Sequence, residues 1–207
     1  MRKLFFFSFF IFSFSILSAL PWTNVTAGSR TSGQYDTAIV KSDSTKTKVY
    51  RIYKNYGCPP YNDCLHDYDE ALKKAKLDNK PILLYFTGNT CVNCRKMETN
   101  IWPDTSIYKR IKNNYIFVSL YVDDQTKLPK DKVTTSKTGN YKIETVGDKW
   151  IELEVSVFKN NTQPFYVVSN SNGTVLTQGG YTSTIEEFKK FLDAGKIAFN
   201  ASSAVAK

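Results

Sequence analysis

The sequence predicts an α/β fold with a mixed central sheet and helices on both faces. Three observations carry this. Strand-like and helix-period segments alternate through the first half of the chain. A hairpin and a helix close it. The run Pro81-Ile82-Leu83-Leu84-Tyr85-Phe86 is apolar throughout, as in a strand covered on both faces. At 207 residues, 42% hydrophobic and 23% charged, the chain holds one ordinary domain with a real core.

The elements follow in order. Lys48 to Tyr53 alternates and reads as a first, edge strand. Asp67 with Glu70 resembles a capping box, and Ala71, Leu72 and Ala75 follow at helical spacing until Asn79 and Pro81. Residues 81–87 are the buried strand, and Thr87-Gly88-Asn89-Thr90 forms the turn. A helix starts near Cys91, carries Met97 and Ile101, and ends or kinks at Pro103. Asp104 caps a short helix with Ile107 and Ile111 inward, and residues 115–122 form a strand. The polar stretch 123–147 is longer than an ordinary connection, so it is an insertion loop, functional or mobile.

Asp148 opens a helix with Trp150, Ile151 and Leu153, although Val155, Val157 and Phe158 also suit a strand. Pro164 to Val168 is a strand, Asn170 to Gly173 a hairpin turn, and residues 174–178 return antiparallel. Ser183 and Glu186 match a capping box. The last helix carries Ile185, Phe188, Phe191 and Leu192 on its apolar face and stops at Gly195.

The N-terminus stands apart. Arg2 and Lys3 precede an apolar stretch, and Val25-Thr26-Ala27 supplies small residues, so residues 1–27 read as a secretory signal peptide. An uncleaved anchor is the competing reading. Residues 28–47 are rich in Ser, Thr and Gly and read as a flexible linker, 48–200 as the folded domain, and 201–207 as a frayed tail. This places the protein outside the cytosol, in a periplasm or secreted, with no membrane span after cleavage. The formal charge is +9, with bases scattered among acids apart from Lys127, Lys130, Lys132, Lys137 and Lys142. That pattern lacks the basic stripe with stacking aromatics that nucleic-acid binding needs, so no nucleic-acid partner is expected.

Four cysteines allow three pairings. The local solution joins Cys58 to Cys64 and Cys91 to Cys94. The first bridge reads as structural, with a second redox pair and a four-cysteine zinc site as alternatives. The stronger signal is Cys91-Val92-Asn93-Cys94 directly after a core strand. The turn brings two sulfurs together, and the opening of a helix offers unpaired N–H groups to a thiolate. The thiolate, not the thiol, attacks disulfides, which makes Cys91 a nucleophile.

With Gln163-Pro164 before a strand, the Asn172-Gly173 hairpin and a final amphipathic helix, these features resemble the thioredoxin superfamily. More narrowly, residues 80–88 followed by 91–98 are similar to the exported C-terminal domain of DsbD-type thiol:disulfide interchange reductases. The resemblance spans about residues 66–195 and implies a thioredoxin-like three-layer sandwich. It makes Cys91 the attacking and Cys94 the resolving cysteine. Pro164 takes the place of a cis proline beside the disulfide, with Gln163 presenting backbone to an extended substrate. Glu98 takes the place of an acid near the active pair. Thr90, Val92 and Asn93 join Gln163 as substrate-contacting residues. Two positions depart from the superfamily pattern: Thr90 stands where thioredoxins have Trp, and Tyr85 where they bury an acid.

The function expected is an exported thiol–disulfide oxidoreductase that reduces protein disulfides, without cofactor or metal, fed by a separate electron-donor thiol protein. The competing reading is a non-catalytic binding module in which both bridges are structural. His66, the sole histidine, reads as a polar residue at a helix start, and Trp102 and Trp150 as packing residues. Glu98 as a plain surface acid and Pro164 as an ordinary trans proline are the bland alternatives.

Overall fold

The computed structural model describes residues 58, 59 and 64–205, together with the backbone of 37–39 and 49–51. The chain divides into two units, residues 1–53 and 54–207. In the first, β1 (Thr37–Ile39) pairs antiparallel with β2 (Val49–Arg51). The strand expected from Lys48 to Tyr53 is therefore present at its centre, but its partner lies in the stretch read as a linker. It does not belong to the central sheet. The signal-peptide segment 1–27 lies outside the described residues.

The second unit is built on α1 (Tyr68–Asp78), β3 (Ile82–Thr87), α2 (Val92–Lys96), a π-helical turn (Met97–Ile101), α3 (Thr105–Asn114) and β4 (Ile116–Tyr121). It continues with a 3-10 turn (Lys130–Lys132), β5 (Thr134–Thr135), β6 (Lys142–Ile143), α4 (Val146–Ser156), β7 (Phe165–Ser169), β8 (Val175–Gly179) and α5 (Ile185–Val205). The central sheet runs β4-β3-β7-β8. β3 is parallel to β4 and antiparallel to β7, so the sheet is mixed as expected. At its β4 edge, Leu65 takes the place expected of the 48–53 strand: its N–H donates to Phe117 O at 3.0 Å, and Ser119 N–H donates to Leu65 O at 2.8 Å.

Alternation along β3 divides the core. Leu83 and Tyr85 pack with Cys94, Met97, Trp102, Ile107, Ile111, Phe188 and Leu192 on one face. Ile82, Leu84 and Phe86 pack with Ala71, Ala75, Trp150 and Phe158 on the other. The helix of Cys91, α3 and α5 thus cover one face, and α1 and α4 the other, giving the three-layer sandwich.

Local signals explain most boundaries. Asp67 accepts from Glu70 N–H at 3.0 Å, and Asn79 ends α1 in the left-handed region at φ 49°. Asp104 accepts from Ser106 N–H at 2.8 Å and starts α3. Asn170 Oδ1 accepts from the N–H groups of Asn172 and Thr174 at 3.0 Å, and Gly173 takes φ +81° to close the hairpin.

Three expectations are corrected, and two segments gain detail. The helix after Cys91 is not uniform: Trp102 N–H donates to Met97 O, five residues back, so its second half is a π turn. α4 starts at Val146, because Thr145 is the N-cap and Asp148 is the third helical residue of a capping box. The last capping pair is Thr184 with Glu187, one residue beyond Ser183 with Glu186, and Ile185 faces outward. Gly195 does not stop α5, which continues to Val205 and so includes residues 201–205. A Cβ at Gly195 would lie 2.8 Å from Val168 Cγ2, so the glycine serves close helix–sheet packing. The 123–147 insertion is organised: Glu152 accepts from Ser136 Oγ at 2.6 Å, Lys137 N–H at 2.9 Å and Tyr141 OH at 3.2 Å, tying it to α4.

Candidate functional site

The parallel register of β3 and β4 ends with Thr87 opposite Tyr121, which brings the two following loops together. Asp123 accepts from Asn89 N–H at 2.6 Å and from its side-chain amide at 3.0 Å, bracing the turn that leads to Cys91. Cys91 N–H donates to Gly88 O at 3.2 Å, and Cys91 then serves as the N-cap of α2.

Cys91 and Cys94 are joined by a disulfide with Cα atoms 5.2 Å apart. Their environments differ. Cys91 is half-buried at the surface, whereas Cys94 is fully buried in the apolar cluster with Tyr85 and Met97. Cys94 N–H donates to Cys91 Sγ at 3.1 Å, a contact that favours negative charge on that sulfur.

A cleft of about 370 Å³ opens beside Cys91, lined by Thr90, Val92, Asn93, Asp123 and Gln163 among others. All four residues that the resemblance marks for substrate contact are thereby on one surface with the outer sulfur. The Gln163–Pro164 peptide is cis, Pro164 is buried and Gln163 half-buried. Val92 is 67% exposed, leaving an apolar side chain at the rim.

Three hydrogen bonds and one ion pair link β3 to the helix of Cys91. Tyr85 OH donates to Glu98 Oε1 at 3.0 Å and accepts from Thr87 Oγ1 at 3.2 Å. Arg95 Nη2 donates to Thr87 Oγ1 at 3.1 Å, and Arg95 Nη1 pairs with Glu98 Oε2 at 2.7 Å. Burial raises the Glu98 carboxyl above its usual range, with Arg95 and the Tyr85 hydroxyl opposing the shift. Burial also pushes the Tyr85 phenol far up, so it stays neutral and acts as a donor. Tyr85 stacks on Tyr166 with centroids 4.9 Å apart and meets Trp102 edge-on at 4.8 Å. Glu98 thus reaches the Tyr85 hydroxyl from the helix side.

Glu154 is a residue that sequence reasoning missed. It is 1% exposed on α4, and accepts from Gln163 Nε2 at 2.8 Å and Asn160 Nδ2 at 2.6 Å. Burial pushes its carboxyl up to about 7, against those hydrogen bonds. It anchors the loop that carries the cis peptide. Its helical position reads as a solvent-facing acid in sequence, and nothing local marks it. Asp123 was also missed, although its place just past a strand parallel to β3 is a usable signal.

Cys58 and Cys64 form the second disulfide, with Cα atoms 5.7 Å apart. No helix among the described residues is long and apolar enough to cross a membrane.

The thioredoxin-like domain model matches residues 68–196. A thioredoxin from Thermus thermophilus superposes with a TM-score of 0.50 at 16% identity, over 69% of this chain and 92% of that one. The oxidised DsbD C-terminal domain of Neisseria meningitidis gives a TM-score of 0.44 at 12% identity, over 64% and 99%. No curated protein matches the chain. Since the family model covers more than half of the sequence and includes both Cys91 and Cys94, the chain belongs to the thioredoxin-like domain family.

Proposed function

We propose that this protein is an exported thiol–disulfide oxidoreductase that reduces disulfides in other proteins through Cys91 and Cys94. The observation that carries the reading is the asymmetry of the pair: one cysteine half-buried in a cleft shared with Gln163, the other fully buried in the core. In the reduced protein, Cys91 thiolate attacks a substrate disulfide and expels one substrate thiolate. Cys94 then attacks Cys91 Sγ, releases the second substrate thiolate and closes the bridge. Two electrons pass to substrate, and a separate thiol protein restores the pair.

The other residues take supporting roles. Gln163 offers backbone to an extended substrate strand beside Pro164, while Thr90, Val92 and Asn93 form the opposite wall. Glu98, tied to Tyr85, receives the proton that Cys94 must lose before it attacks. Cys58–Cys64 takes no part in this cycle. Export is supported by the N-terminal pattern and by two disulfides in one chain.

Reduction rather than oxidation is supported by electrostatics. Val92 and Asn93 carry no charge to stabilise the thiolate, and the charge of Arg95 is committed to Glu98. Insulin reduction with a small dithiol tests the activity: Cys91→Ser abolishes it, and a variant as active as the parent overturns the reading. Titration against glutathione tests direction, since a potential near that of the strong oxidants, about −120 mV, contradicts a reductase.

A further inference from the structure

Away from the Cys91 cleft, Cys58, Cys64 and His66 converge, with both sulfurs and a ring nitrogen within 4.8 Å of one another. Both cysteines are part exposed, and His66 is exposed. The paired backbone of Leu65 holds Cys64 and His66 against β4. From there His66 Nδ1 reaches Ser119 O at 3.1 Å. A carbonyl only accepts, so Nδ1 carries the proton, and in the neutral ring the lone pair is on Nε2. Nε2 lies 3.8 Å from Cys58 Sγ. A sulfur, an imidazole nitrogen facing it and a third group fixing the ring's tautomer form the arrangement that activates thiols. A bridge that only fastens two segments has no use for it.

We propose that Cys58 and Cys64 form a second thiol–disulfide couple, with His66 as the acid–base partner of Cys58 and a dithiol protein as the electron source. One donor thiolate attacks Cys64 Sγ, and the bond to Cys58 breaks with its electron pair on Cys58 Sγ. Protonated His66 stabilises that leaving thiolate and supplies its proton. The second donor thiolate attacks the donor sulfur of the mixed disulfide and frees Cys64, which takes a proton from water. The donor leaves as a disulfide, two electrons poorer. The step uses no atom of the Cys91 site.

The test uses the full chain carrying Cys91→Ser and Cys94→Ser, so that only the second couple responds. The folded protein is treated with dithiothreitol, quenched with iodoacetamide and weighed. The expected result is two added alkyl groups with an unchanged circular dichroism spectrum. His66→Gln keeps a donor for Ser119 O but cannot take a proton, and it slows alkylation of Cys58 at neutral pH by roughly tenfold. A bridge that opens only in guanidinium overturns the proposal, as does a His66→Gln rate equal to the parent's. Uptake of one zinc ion that shields both reduced thiols also overturns it and makes the three residues a metal site. If the double variant does not fold, the same alkylation is mapped by peptide in the parent chain, where failure here leaves insulin reduction by Cys91 intact.

Discussion

Tyr85 and Glu98 are joined by a 3.0 Å hydrogen bond between the phenol and the carboxylate. It ties the core strand to the helix of Cys91 and holds a half-buried acid one turn after Cys94 in sequence. Folding raises the Glu98 pKa, chiefly through burial. A carboxyl raised in this way contributes most below its unfolded pKa and loses that contribution as pH rises through the folded value. Glu98→Gln is therefore expected to keep or raise thermal stability near pH 8. In the same samples, insulin reduction falls about a hundredfold, the low end of the usual range for loss of a proton-transfer group. Equal activity in the variant contradicts the role given to Glu98.

Glu154 predicts a pH dependence of the whole domain. Its carboxyl is held up to about 7 by burial. The sign is the same: stability is full below the unfolded value and declines as pH climbs through about 7. A rise from 4.5 to about 7 corresponds to at most about 3.5 kcal/mol. Thermal midpoints measured from pH 5 to 8 should fall in the parent and stay flatter in Glu154→Gln. Parallel curves for the two proteins contradict this assignment.

Gly195 separates packing from helix propensity. Alanine in mid-helix normally gains about 1 kcal/mol over glycine. Here its Cβ would meet Val168 at 2.8 Å and the Tyr115 hydroxyl at 3.1 Å. Gly195→Ala is expected to lower stability by about 1–2 kcal/mol in urea, as overpacking does. A stabilised variant shows that α5 yields at this contact.

Glu152 gathers the insertion onto α4 through Ser136, Lys137, Thr138 and Tyr141. These hydrogen bonds hold its carboxyl below the usual range, so their contribution is present near neutral pH and lost as pH falls through the acid range. In Glu152→Ala, the amides of Lys137, Thr138 and Gly139 are expected to exchange hydrogen faster, with insulin reduction unchanged. Slow exchange in the variant means that β5 and β6 alone hold the loop.

What the sequence shows directly is what depends on near neighbours. The apolar run of β3, the caps at Asp67 and Asp104 and the Asn170–Gly173 hairpin are short-range patterns, and each is found in place. The cysteine pair is legible for the same reason. Choices between adjacent equivalents are harder: Ser183 and Thr184 are followed three residues later by Glu186 and Glu187, and the second pair makes the reciprocal cap. Relationships across the fold are not legible at all. Glu154 meets Gln163 only because α4 packs beside the loop before β7, and Tyr85 meets Glu98 only through the turn at Cys91.

The central claim is that Cys91 is the outer, attacking sulfur of a working couple. It is tested most directly by trapping. In Cys94→Ser the second step is blocked, so incubation of the reduced variant with a disulfide-bonded protein should accumulate a mixed disulfide, mapped by peptide mass to Cys91 and released by dithiothreitol. Absence of that adduct, with the parent's Cys91–Cys94 bridge resisting reduction in the folded state, contradicts the account.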